Sequence, residues 1–212
     1  DGDLDEMEKQ WSNIIAATEQ DKLIYFMLRR DRILRELSSY IVYEGDTKIL
    51  ARHYQFFGVE KALEKISRLD ENGVREGGLF WHTTGSGKSL TMVMLAKSIF
   101  ESGRFKDPRV VLVTDRVHLD SNVYDAFHDC GFNIKKVKRG QAEKTSKIIL
   151  DRNYKVLSTV IDRLENPLKS FKAIDDSDET FIFVDEAHRT HSEVSHKRAI
   201  MRAVFPKASV IG

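Results

Sequence analysis

One cysteine, Cys130, stands among the 212 residues, so no disulfide can form within the chain, and a reducing interior suits it. Prolines number three, and no Pro-rich or Ser/Gly-rich stretch marks a linker. No apolar run approaches the roughly 18 residues of a membrane-spanning helix. The opening stretch, DGDLDEMEKQW, is acidic and unlike a secretion signal. An excess of one charge is also lacking: 34 Lys and Arg face 33 Asp and Glu, for a net charge of +1. A basic composition therefore does not point to nucleic acid, and any such reading has to come from motifs.

What is present is an ordinary globular composition, 41% hydrophobic and 32% charged. The length suits one domain with an appendage and is enough to bury a core. The chain opens without a Met and closes on KASVIG, which reads as a strand just begun. We therefore expect a piece of a longer protein.

Residues 5–39 carry apolar positions at three- and four-residue spacing and predict helices. YIVYEGD predicts a short extended segment ending in a turn, and residues 49–69 predict one helix stopped near Asn72-Gly73. From residue 77 the rhythm changes. GGLFW, RVVLVTD, NIKKV, YKVLSTV, TFIFVDE and ASVIG are short apolar runs, separated by helical stretches. That alternation predicts an α/β fold whose parallel sheet is covered by helices on both faces.

Residues 82–89, HTTGSGKS, nearly complete a phosphate-binding loop, with His82 where the usual pattern has its first glycine. A strand precedes the loop and a helix follows it, as phosphate binding needs. Gly85, Ser86 and Gly87 can turn backbone N–H groups toward an anion, with Thr84 at their entrance, and a helix N-terminus adds partial positive charge. Lys88 would reach the β- and γ-phosphates of ATP, and the Ser89 hydroxyl would ligate Mg²⁺. His82 lies at the mouth of the loop, outside the glycine turn. It either touches nucleotide or ends the strand, and packing at the strand end, beside Trp81, is the preferred reading. A second acidic site follows in FIFVDEAH, residues 181–188. A buried strand delivering Asp185 and Glu186 at its C-terminal end is where an α/β sheet places its ligand site. Asp185 would hold Mg²⁺ and Glu186 would orient the attacking water, with metal and Lys88 stabilising the charge that develops on the γ-phosphate. The spacing of His188, His191 and His196 does not fit a zinc site.

DEAH after a strand, with GSGKS before it, resembles superfamily 2 helicases and translocases. GGLFWHTTGSGKSLTMVMLA, VLVTDRVHLDSNV, FIFVDEAHRTH and the lead-in RRDRILRELSSYIVYE…ARHYQFFGVEKAL are similar to the motor (R) subunit of type I restriction–modification enzymes, over roughly residues 25–212. The resemblance implies a RecA-like motor domain preceded by a short helical segment. Residues 1–45 are expected to be a helical lead-in from an upstream nuclease domain, and 46–212 a first motor domain truncated at its C-terminal end. ARHYQ resembles the Q motif, in which Gln55 would bond N7 and the N6 amine of adenine and so select ATP. Thr114 and Arg116 fall in a motif expected at the DNA backbone. Thr159 matches the next such motif, whereas Ile161 and Asp162 depart from it. His188 is expected to couple the nucleotide site to other elements.

The resemblance further implies ATP-driven translocation of double-stranded DNA before cleavage. The partners would be the methyltransferase and specificity subunits of a cytoplasmic restriction complex, with no membrane. The nuclease carboxylates, the second motor domain and its arginine finger are expected outside these residues, so little ATPase is expected of them alone. The alternatives are another superfamily 2 DNA or RNA helicase, or a non-motor ATP switch. RNA-stimulated ATPase would mark the first, and sequence lacking a second motor domain the second.

Overall fold

The computed structural model describes residues 18, 20, 21, 24, 27–80, 85–114, 120–137, 142–164, 175–184 and 199–212. The first complete helix, α1, spans Arg30–Ser39. A hairpin follows: β1, Ile41–Glu44, pairs antiparallel with β2, Thr47–Leu50, across a turn in which Gly45 takes φ 58°. This hairpin straddles residue 45, where the lead-in was expected to end. It also corrects the helix expected over 49–69. Ile49 and Leu50 pair with Val42 and Ile41 instead, and helix α2 runs only from His53 to Ile66. The turn beyond it is closed by Asp70, whose carboxylate accepts the N–H groups of Asn72 and Val74.

Helix α3, Lys88–Glu101, starts immediately after the glycine loop. Then come β3, Arg109–Thr114; α4, Asp120–Asp129; β4, Ile134–Lys136; α5, Ala142–Leu150; β5, Val156–Val160; β6, Thr180–Val184; and β7, Ser209–Ile211. Residues 199–204 are helical. The five strands form one parallel sheet in the order β4-β5-β3-β6-β7. The residues leading into the glycine loop extend it beyond β7. Gly78 bridges Ile211 in parallel, its N–H donates to the Val210 carbonyl at 3.0 Å, and its own carbonyl accepts the Gly212 N–H at 3.1 Å. Residues 77–80, expected as a strand, meet the sheet through this isolated bridge and lie beyond β7, which separates them from β6.

The sheet is apolar on both faces, which is why its strands read as continuous runs rather than alternating ones. Val110, Leu112, Val156, Phe181 and Phe183 pack on one side with α2, α3 and the hairpin's Val42. Val111, Val113, Leu157 and Ile182 pack on the other with Ile149 of α5 and Met201, Val204 and Phe205. Helix α3 is buried nearly all round, with Met92 through Ala96 and Ile99 inside. A helix apolar on every side lies within a core, and here it anchors the glycine loop to the largest one. Among the described residues no helix is long and apolar enough to cross a membrane.

Candidate nucleotide site

The five strands β3 to β7 run parallel, so their C-terminal ends share one edge of their sheet. The glycine loop rises at that edge, β6 ends there at Val184, one residue before Asp185, and β3 ends there at Thr114. In open α/β sheets this edge, where the strand order reverses, is the ligand side. The order here reverses about β3: the chain goes to β4 and β5 on one flank and to β6 and β7 on the other.

Gly85 and Gly87 take φ 78° and 85°, the left-handed region that favours glycine. Gly87 is the N-cap of α3, and no side chain caps that helix. A helix N-terminus without a side-chain cap suits an anion, and the helix dipole favours one there. Lys88 and Ser89 form the first turn, and both are half-buried.

Helix α2 braces the loop from behind. The Tyr54 hydroxyl donates to the Ser86 carbonyl at 2.8 Å. Gln55, only 4% exposed, donates through Nε2 to the Gly87 carbonyl and to Thr91 Oγ1, both at 3.2 Å. Thr91 in turn donates to the same Gly87 carbonyl at 3.1 Å. Gln55 Oε1 accepts the Arg52 N–H at 2.9 Å and so caps its own helix. Reading adenine through N7 needs a free amide donor, and both donors of Gln55 are engaged within the protein. In this structure Gln55 ties α2 to the loop.

Beside the loop lies an open cleft of about 780 Å³, walled by α2, residues 77–80, Gly85 and Ser86. That volume suits a nucleotide-sized ligand. Arg52, Lys61 and Lys65 line it together with Tyr54 and Phe80, and among the described residues no carboxylate does. The lining matches an anionic ligand with a flat apolar part. Gly77 also belongs to this wall, and a side chain there would meet the Val210 carbonyl at 2.3 Å.

Of the residues singled out from the sequence, the structure brings Gln55, Gly85, Ser86, Gly87, Lys88 and Ser89 into one site. Thr114 and Thr159 sit inside the sheet, 2% and 1% exposed, and the Thr159 hydroxyl donates to the Val160 carbonyl at 3.2 Å. Burial leaves neither hydroxyl open to a DNA phosphate in this structure. His82, Thr84, Arg116, Asp185, Glu186, His188, His191 and His196 lie outside the described residues. Among the described residues no group of three or more His, Cys, Asp or Glu could hold a metal ion. Burial pushes the Cys130 thiol up to about 11, helped by the Glu44 and Asp129 carboxylates, so it is a poor nucleophile at neutral pH. Sequence reasoning missed Tyr54, although its phenol sits next to Gln55 in ARHYQ.

A parallel sheet, a glycine loop capping a buried helix and an inserted strand between the loop's lead-in and the acidic strand define a RecA-like phosphate-loop domain. The SWI2/SNF2 ATPase family matches residues 54–212, and the chain belongs to that family. A putative type I restriction enzyme MjaVIIIP endonuclease subunit of Methanocaldococcus jannaschii is 31% identical over 207 residues, covering 86% of this chain and 20% of that protein. The type I restriction enzyme HindI endonuclease subunit of Haemophilus influenzae is 27% identical over 231 residues, covering 99% of this chain and 22% of its own length. The chain thus spans about a fifth of the length of these relatives. The type ISP restriction-modification enzyme LlaGI, solved as a nuclease-deletion mutant with a DNA substrate mimic, superposes with a TM-score of 0.55. It shares 19% identity and covers 77% of this chain and 17% of that one, a likeness of fold alone.

Proposed function

We propose that the chain is the first motor domain of a type I restriction enzyme's endonuclease subunit, and that ATP hydrolysis here drives movement along double-stranded DNA before cleavage. The observation that carries the reading is the uncapped N-terminus of α3 behind a left-handed Gly87, beside a cleft whose described lining includes Arg52, Lys61 and Lys65. ATP phosphates would lie on the N–H groups of the loop with Lys88 against the β- and γ-phosphates. The Ser89 hydroxyl and the Asp185 carboxylate are hard oxygen donors and fit Mg²⁺. When bound, Mg²⁺ supplies charge neutralisation across the phosphates. Glu186, following Asp185 at the end of β6, would orient the attacking water and take its proton.

Relatives named as type I restriction endonuclease subunits support the restriction role. DNA contact is assigned to Arg116, after the C-terminal end of β3, and coupling to His188. The methyltransferase and specificity subunits are the proposed partners, and residues 46–212 the proposed motor unit.

Glu186→Gln tests the assignment in the intact enzyme. MgATP affinity should stay within about twofold while DNA-stimulated turnover drops on the order of 10²- to 10⁴-fold. Turnover unchanged in Glu186→Gln would remove Glu186 from the chemistry and undo the hydrolytic reading.

A further inference from the structure

The phosphate loop is held from behind by two adjacent side chains of α2, and of the two only Gln55 has been given a role. We infer that Tyr54 is a positioning residue for phosphate binding: through the Ser86 carbonyl it fixes the direction of the Gly87 N–H. The inference rests on the nucleotide reading above.

The geometry is that of two consecutive peptide planes. Tyr54 holds the Ser86 carbonyl at 2.8 Å and Gln55 holds the Gly87 carbonyl at 3.2 Å. Both donors come from the N-terminal turn of α2, so both carbonyls point toward that helix. In a trans peptide the N–H points opposite to the C=O, and none of the described peptide bonds is cis. Pinning the Ser86 carbonyl inward therefore turns the Gly87 N–H away from α2, and pinning the Gly87 carbonyl does the same for the Lys88 N–H. These are the N–H groups at the mouth of α3 that an anion would meet.

A loop with two left-handed glycines needs such a restraint. Glycine visits positive and negative φ with similar ease, so Gly85 and Gly87 leave the peptide planes between them free to flip. A flipped 86–87 plane would present a carbonyl oxygen to phosphate instead of an N–H. The phenol suits the restraint because its two ring torsions leave little freedom once the ring is packed. Tyr54 also lines the cleft. A ring at that place has two possible tasks, meeting the base or holding the loop, and they separate by ligand.

The test uses Tyr54→Phe in the full chain, which keeps the ring and removes one hydroxyl. Calorimetry would compare MgATP, MgGTP and magnesium tripolyphosphate, the last carrying phosphates and no base. A thermal melt of each protein would accompany it. Loss of one such hydrogen bond should weaken MgATP and tripolyphosphate alike by about five- to tenfold. The ATP-to-GTP affinity ratio should stay as in the parent, and the melting temperature should fall by no more than a few degrees, the share of one hydrogen bond. Unchanged affinities would overturn the inference. So would a changed ATP-to-GTP ratio with tripolyphosphate binding intact, which would make Tyr54 a base contact. A larger fall in melting temperature, in parallel with all three affinities, would also overturn it, leaving a structural role. Failure of the parent chain to bind both MgATP and tripolyphosphate would sink the nucleotide reading itself, and this inference with it.

Discussion

Gly87 carries more constraints than any other described residue of the loop. It is the N-cap of α3, its φ is 85°, and a Cβ there would lie 2.8 Å from Gln55 Nε2. Alanine would take on left-handed strain of about 1–2 kcal/mol and push Gln55 off the Gly87 carbonyl. We expect Gly87→Ala to lower stability to urea by about that amount and to weaken MgATP at least about tenfold, since the loop N–H groups lose their direction. Parent-like affinity in the alanine variant would mean that the loop tolerates a side chain where this structure leaves no room. Gln55 shows how far a single residue's role can be read in advance. Its place in ARHYQ marks it for contact with adenine, whereas the structure sets it behind the glycine loop with its amide donors on the Gly87 carbonyl and Thr91. Its partners were not legible, because the Gly87 carbonyl and Thr91 lie more than thirty positions along the chain. Local spacing does not encode such a contact.

Among the elements, β3 holds the sheet together from its centre and begins on a buried charge. Arg109 is fully buried at the edge opposite the loop. It donates to the carbonyls of Ile148, Ile149, Asp151 and Tyr154 and to the Asp175 carboxylate at 3.0 Å, so all five of its N–H groups are used. Burial lowers its pKa and the Asp175 charge works against that. Asp175 also accepts from Arg152 and from the Thr180 hydroxyl, each at 3.1 Å, binding the starts of β3 and β6 to the end of α5. Removing the carboxylate would strand a buried guanidinium. Asp175→Ala should therefore destabilise the domain by about 3–5 kcal/mol in urea unfolding, and a loss below about 1 kcal/mol would contradict this account of the clasp. The strands were legible from sequence because apolar runs of five or six residues cannot hide in a charged chain. The clasp was not, since Arg109 and Asp175 stand 66 positions apart and no local pattern pairs them. The start of α2 was misplaced for a related reason. Ile49 and Leu50 continue the helical apolar spacing, and the pairing with Ile41 and Val42 overrides it.

At the scale of the whole molecule, the sheet divides two cores, and each serves the proposed motor differently. The core holding α2 and α3 fixes the phosphate loop. The core beneath α5 and residues 199–205 backs β6, whose end leads into Asp185 and Glu186. The fold class was fully legible, because alternating buried strands and helices leave few architectures open. The proposed restriction role rests, within the sequence, on whole motifs such as GGLFWHTTGSGKS. Composition and a net charge of +1 carry no sign of DNA. The relatives named above are about five times longer than these residues, so the proposed movement is to be measured on an intact enzyme. The central claim is that ATP held by this loop powers motion along duplex DNA. The most direct measurement is a triplex-displacement translocation assay on the intact restriction enzyme carrying Lys88→Ala. The account predicts that ATP-driven displacement falls to background while the subunit stays folded and still docks on DNA. Displacement continuing near the parent rate with ATP would contradict it.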